Sequence, residues 1–456
     1  MTKGSAAIVV ALSWVGLSAL HALMGGCVFL VIAFVFRTRL FSKIQMLRPL
    51  AAASAFTVLE WIESLFWWGM PTARLSGGQT ELILGIQTAS LFGSFFISFL
   101  LVAVNFYLGY ALISVLRKNA NGDKDLGNVK APVIAAAAIL LFNYAAGAVI
   151  WFAGEEKEEK SITVAAIQSN ANDLVARTDE SIDKIFSDHR KYTAKAAERG
   201  ADIVLWTETV LPYVLKEDNA TCEYISSVAK ECGVTVIAGV FTADKDESRY
   251  NSQVCFTPDG KMINTVYNKI HLVPYGEYVP LADVMETLFP PVTELISLYG
   301  ELLAGEDTKV FELEEARVGA VICYDALYDD VTRGVTGKGA EFLAISSNDA
   351  WFRDSVYLSM HNGQIKMRAV ECGRYALHGA NTGISAVFSH RGEEISSLEP
   401  LSADVLVERV SLRTNRTLYS YIGNIFTLVC LVFIAVMLVI GVAETVTRRG
   451  KFFGKN

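Results

Sequence analysis

Three residues in this chain have side chains that together could run an acyl transfer: Glu208 in "LWTETV", Lys269 in "YNKIHLVPYGEYVP" and Cys323 in "VGAVICYD". A cysteine attacks an acyl carbon as its thiolate. It therefore needs a base to take its proton and a cation or amide donors to hold the oxyanion that forms. A carboxylate can accept the thiol proton, return it to the leaving group and then deprotonate a second substrate. An ammonium can stabilise each tetrahedral intermediate, so the cycle requires no metal and no organic cofactor. Taken singly, the three residues say little: a cysteine closing an apolar strand is commonly an inert core residue, and a loop glutamate or lysine a solvated charge.

What would bring them together is a sheet. Apolar runs at 162–167, 203–206, 235–240, 318–324 and 342–346 read as buried strands, and Glu208 and Cys323 sit at strand ends, where an α/β sheet presents side chains to a crevice. Segments 178–199, 220–232 and 354–378 read as helices, with Asp or Asn near each start and Gly200, Gly233 and Gly379 just past each end. Two strands, 250–258 and 261–267, flank the hairpin signal Asp259-Gly260 and leave Lys269 just beyond the second. Strands and helices interleaved this way predict one α/β layered domain of about 255 residues.

The 456-residue chain is 52% hydrophobic, and its charges gather between 155 and 413, so the α/β domain is expected to hang between membrane segments. Apolar stretches at 7–36, 47–70, 89–116, 131–152 and 421–446 are each long enough to cross a hydrocarbon core of about 30 Å. The first exceeds one span and falls short of two, so a long tilted helix and a re-entrant hairpin both fit. This gives five spans, or six with the hairpin, and Lys3 alone makes a weak start for a cleaved signal. Arg37, Arg39, Lys43 and Arg48, then Arg117, Lys118, Lys124 and Lys130, then Arg448, Arg449, Lys451 and Lys455 mark three cytoplasmic segments. The expected division is a helical part over 1–152 with four spans (five with the hairpin), an extracytoplasmic catalytic domain over 153–419, a last span over 420–446 and a basic tail over 447–456.

Glu60 and Glu63 fall inside the second stretch beside Trp61, Trp67 and Trp68, either as part of an interfacial aromatic belt or as a polar wall for a lipid headgroup. A net charge of -8 without a basic stripe argues against nucleic acid as a partner. The seven cysteines form neither a CxxC nor a His-Cys cluster, which argues against zinc. Cys222 and Cys232, if one helix runs through both, are separated by about 15 Å along its axis, too far for a disulfide.

The strings around the three residues resemble the nitrilase superfamily and, within it, the apolipoprotein N-acyltransferases. The matching features, in the family's order, are "AAIQSN", "LWTET", "YNKIHLVPYGEYVP", "ICYD", "SNDAWF", "QIKMRAVECGR" and "ANTGISAV". They cover most of 161–410. The resemblance implies an αββα sandwich inserted between transmembrane helices, with Glu208 as general base, Lys269 as oxyanion partner and Cys323 as the residue that becomes an acyl-thioester. It implies that Glu277 orients the lysine or the base, and that Tyr324, Asn348, Trp351 and the segment from Asp349 border the site, Trp351 having core packing as its alternative role. Asp325 stands where these acyltransferases usually carry glutamate, one methylene longer, and the membrane part is shorter at its beginning than the usual eight-span enzyme by about two spans.

By the same resemblance the chain is expected in a bacterial cytoplasmic (inner) membrane as a monomer. It would move a fatty acyl chain from a phosphatidylethanolamine-like phospholipid to the α-amino group of a diacylglyceryl-cysteine at an apolipoprotein N-terminus, with no cofactor and no metal. An anchored amidohydrolase with water as acceptor is the alternative, and an inactive scaffold a third. The apolar stretch 284–303, either dipping into lipid over the site or forming an ordinary surface helix, would separate the first two.

Overall fold

Side chains alternate between the two faces of an extended backbone, and that alternation sorts this chain's strands into layers. In a computed structural model, β1 (Ser161–Gln168) sends Val164 and Ala166 into one apolar core and Ala165 and Ile167 into another. β2 (Ile203–Leu205) and β4 (Thr235–Ala243) divide alike: Ile203, Leu205 and Ile237 join the first core, Val204, Val236 and Ala238 the second. The second core is closed by helices Asp179–Glu198 and Ala220–Cys232 through Ile185, Ala196, Ile225, Val228 and Ala229. The structure describes residues 3–66, 69, 71–121, 127–153, 160–171, 179–211, 213–216, 220–282, 287 and 301–453. Trp67, Trp68 and nearly all of the apolar stretch 284–303 lie outside the described residues.

The chain divides into two units, 154–421 and a helical unit of 1–153 with 422–456. In the first, β3 (Val214–Leu215) pairs with β4, and the sheet runs β13 (Asp404–Ser411), β1, β2, β4, β5 (Arg249–Phe256), β6 (Tyr267–Asn268). The other sheet runs β12 (Glu394–Ser397), β11 (Ala386–Phe388), β10 (Tyr375–Ala380), β9 (Phe342–Ser347), β8 (Arg317–Ile322), β7 (Val310–Glu312). Parallel strands form the middle of each sheet and antiparallel strands its edges. The first core fills the space between the sheets, and helices Asp329–Gly337 and Val356–Cys372 cover the second sheet's outer face, so the layers read αββα.

Gln253 bolts the two sheets together. It projects from β5, and its Nε2 donates to the carbonyls of Val321 at 2.9 Å and Ala344 at 3.3 Å and to Ser346 Oγ at 2.8 Å, all in the opposite sheet. Replacing Gln253 with leucine should leave these buried acceptors short of a donor and destabilise this unit by about 2 kcal/mol. That would appear as a lowered thermal unfolding midpoint in detergent, whereas an unchanged midpoint would show that the bolt adds nothing.

Three sequence expectations need correction. The stretch 354–378 is not one helix: it ends at Cys372, where Gly373 takes φ +63 and closes it, and 375–380 is β10. The strand expected over 318–324 stops at Ile322, and Cys323 begins a 3-10 turn. Beyond the Asp259-Gly260 turn the second strand is reduced to a bridge at Met262 and to β6. Cys222 and Cys232 do share one helix and are free thiols.

In the helical unit the first apolar stretch is a single helix, Lys3–Val35. Four helical segments among the described residues are long and apolar enough to cross a membrane: Trp14–Val35, Ser94–Leu116, Val129–Ala153 and Ile425–Thr447. The stretch 47–70 forms a helix only over Arg48–Glu63, 16 residues, or about 24 Å, short of a hydrocarbon core. Polar demands end it early: Glu60 is buried and its Oε1 accepts the backbone N–H of Leu75 at 2.8 Å. Stretch 89–116 is broken at Gly93 with φ +79, so the long helix starts at Ser94.

Candidate active site

Glu208 lies beyond the end of β2. Gly239 on β4 runs directly beneath it: a Cβ there would stand 2.7 Å from Glu208 Cα, so only glycine allows this approach. Lys269 follows β6, tied to β5 by its N–H to Asn251 O at 2.8 Å. Cys323 follows β8 with φ +47, a left-handed backbone that turns the residue out of the strand direction. Glu277 closes a turn in which its N–H donates to Val273 O and its Oε2 accepts Val273 N–H at 2.8 Å.

Glu208, Lys269 and Glu277 meet. The Lys269 ammonium, 1% exposed, donates to Glu208 Oε1 at 2.8 Å and to Glu277 Oε1 at 3.0 Å. Burial alone would strip its proton, but Glu208 and Glu277 outweigh burial and hold its pKa well above the ordinary lysine value. Glu208 is oriented at both oxygens: Oε1 also accepts Asn251 Nδ2 at 2.7 Å, and Oε2 accepts the N–H of Asn348 at 2.8 Å. Asn251 Nδ2 donates to Glu277 Oε1 as well, at 2.8 Å, so one amide braces both carboxylates.

Cys323 is buried within electrostatic reach of all three. Burial first, then the Glu208 carboxylate, push its thiol well above the usual range, while Lys269 pulls it down. The sulfur rests as a thiol, so its activation calls for proton removal as it reacts. Tyr357, stacked on Phe352 with ring centroids 3.6 Å apart, and Tyr324, edge-on to Tyr328, lie within electrostatic reach of the same sulfur.

The remaining expected residues fall in different places. Asn348 contributes its backbone N–H, and its side-chain oxygen accepts from Asn381 Nδ2 at 3.3 Å. Trp351 is 60% exposed, which overturns core packing as its role. Asp325 is fully buried: Oδ2 accepts Tyr267 OH at 2.6 Å and Oδ1 accepts the N–H of His271 at 2.8 Å. Burial raises its pKa to about 6, and these bonds make it a brace between the Lys269 loop and the nucleophile turn. A longer glutamate would have to displace one of these partners.

Asn251 went unseen in the sequence, although a signal existed: Asn251, Gln253 and Cys255 share the inward face of β5, and a polar residue on such a face needs a partner. Asp349, His361 and His378 bring ligand-capable atoms within 4.8 Å of one another, a spacing a metal ion could use. Both ring nitrogens of each histidine already meet hydrogen-bond partners, so coordination would have to break an existing network.

Residues 163–418 match the carbon-nitrogen hydrolase family, and residues 2–107 match the apolipoprotein N-acyltransferase N-terminal domain. An apolipoprotein N-acyltransferase of Allorhizobium ampelinum is 29% identical over 360 residues, 77% of this chain and 65% of its own length. One from Geobacter metallireducens is 27% identical over 384 residues, 83% of this chain and 71% of its own. The chain thus spans about two thirds of the length of the curated relatives it matches. A solved amidase from Nesterenkonia sp. is 17% identical, with 59% of this chain and 96% of its own covered at a TM-score of 0.44.

Proposed function

We propose, from the premise that this chain belongs to the carbon-nitrogen hydrolase family, that it is a lipoprotein N-acyltransferase working through a Cys323 thioester. The observation that carries this reading is the buried Lys269 ammonium, held between Glu208 and Glu277 in reach of the Cys323 sulfur. The match of 2–107 to the acyltransferase N-terminal domain and the four long apolar helices favour substrates that reside in lipid over a small soluble amide. The acyltransferases named above suggest the acceptor.

In the first half-reaction Glu208 takes the Cys323 thiol proton as the sulfur attacks an ester carbonyl of a phospholipid. Lys269 stabilises the oxyanion. The intermediate collapses with cleavage of the C–O ester bond, the proton passes from Glu208 to the glycerol oxygen, and a lysophospholipid leaves. In the second, the α-amino group of a diacylglyceryl-cysteine attacks the thioester and loses a proton to Glu208. The C–S bond breaks, the sulfur regains that proton, and the product is an amide. Resting Cys323 as a thiol suits this cycle, since Glu208 relays one proton in each half-reaction, first from the thiol to the glycerol oxygen and then from the amine to the sulfur. The fatty acyl donor is a phosphatidylethanolamine-like lipid, the enzyme a monomer of the bacterial inner membrane with its catalytic unit on the extracytoplasmic side.

Purified protein mixed with phosphatidylethanolamine vesicles and a synthetic diacylated lipopeptide tests this reading. The expected product is the lipopeptide heavier by one acyl chain, with one lysophospholipid formed per amide. Release of free fatty acid without acylated peptide would assign the chain to hydrolysis instead.

A further inference from the structure

Next to Cys323 lies a buried charged pair that the acyl-transfer steps leave without a task. His361 and Asp349 are each 1% exposed, and Nδ1 of His361 stands 3.2 Å from Oδ1 of Asp349. The other ring nitrogen, Nε2, stands 3.4 Å from the main-chain oxygen of Cys323. Both partners can only accept a proton. A carbonyl has none to give, and a carboxylate only accepts: burial pushes the pKa of Asp349 up, but the paired His361 brings it below the ordinary aspartate value. A neutral imidazole carries one N–H and could satisfy one partner, so the two contacts need protons on both nitrogens.

His378 shows the contrast. Its Nδ1 faces Asn362 Oδ1 at 2.8 Å and its Nε2 faces Ser347 Oγ at 2.9 Å, a hydroxyl able to donate, so one ring proton suffices. Burial and then the charge of His361 take its pKa down to about 3. The cluster therefore stores its positive charge on the histidine that touches the nucleophile's own backbone.

Resting on the reading that Cys323 is the nucleophile, we propose that His361 is a positioning residue. Its imidazolium, anchored on Asp349, holds the Cys323 carbonyl and cancels the Asp349 charge that would otherwise oppose a thiolate. The turn at Cys323 has φ +47 and needs such a tether. The charges facing the sulfur are Glu208, Lys269, Asp349 and Glu277, with the phenols of Tyr324 and Tyr357 beside it. Those facing His361 are Asp349, His378 and Glu208. Among the acidic groups facing the sulfur, Asp349 is the one that pairs with His361.

The test follows alkylation of the Cys323 peptide by iodoacetamide across pH, read by mass spectrometry on full-length protein in detergent. His361→Gln should move the rate profile about one unit to higher pH, or about tenfold slower alkylation at neutral pH. It should also lower kcat for acyl transfer while leaving KM for phospholipid unchanged. Adding Asp349→Asn to that variant removes the uncancelled carboxylate and should restore most of the alkylation rate, a rescue that loss of packing would not give. A folded His361→Gln protein with the wild-type profile, or a double variant as slow as the single, overturns the proposal. Nitrogen-15 spectra of histidine-labelled His271→Gln protein, which keeps His361, give a check independent of that variant's folding. One imidazolium should persist at mildly alkaline pH, and its absence also overturns the proposal. Failure of wild-type Cys323 to take up an acyl group would instead sink the acyl-transfer reading, with the alkylation profiles still readable.

Discussion

Replacing Cys323 with alanine is expected to lower N-acylation of a diacylated lipopeptide by about 10,000-fold or more, to a level set by binding and oxyanion stabilisation alone. The proposed path runs through a covalent thioester, and a methyl group cannot form one. The loss should be chemical and not structural. Cys323 gives up one sulfur, its backbone contacts to the turn do not involve the side chain, and the left-handed φ is borne equally by any residue with a Cβ. The variant should therefore unfold near the wild-type temperature and still bind phospholipid. A variant that transfers acyl chains within tenfold of wild type would place the nucleophile elsewhere.

Replacing Glu208 with glutamine should move two readouts in opposite directions. Acyl transfer should fall by about 1,000-fold, within the range general acid-base catalysis supplies, because the amide cannot take the thiol proton. The amide also turns a donor toward one of two groups that now donate to Glu208, either Asn348 N–H at Oε2 or the Lys269 ammonium and Asn251 Nδ2 at Oε1. Alkylation of Cys323 at neutral pH should rise instead. After burial, the Glu208 carboxylate is the largest influence raising the thiol pKa, and Lys269 opposes it. Removing the negative charge leaves the ammonium to favour the thiolate, so the pH profile shifts downward. Alkylation and transfer that fall together would point to a collapsed site and not to a missing base.

Much of this site could be read from the sequence because it depends on local pattern. Short apolar runs located β1, β2, β4 and β9, and the chemistry at or just beyond the strand ends singled out Glu208, Lys269 and Cys323. What escaped was what neighbouring strands impose. Asn251 matters because β5 lies beside β6 and close to the end of β2, a pairing no local spacing announces. The helix over 354–378 was drawn too long because a fully buried strand and a buried helix share an apolar composition, and Gly373 was the true stop while Gly379 sits inside β10. The short helix Arg48–Glu63 reads as a span by hydropathy, yet the bond from Leu75 to Glu60 and the break after Glu63 are tertiary events. His361 looked like one more helical residue until its two partners were in view.

The central claim is that a fatty acyl chain rests on the sulfur of Cys323 between two half-reactions. A single-turnover incubation with phosphatidylethanolamine and no acceptor, followed by protease digestion and mass spectrometry, measures it directly. The expected result is one acyl group on the peptide containing Cys323, labile to neutral hydroxylamine and discharged when diacylated lipopeptide is added. An acyl group on any other residue, or N-acylation proceeding while that peptide stays unmodified, would contradict it.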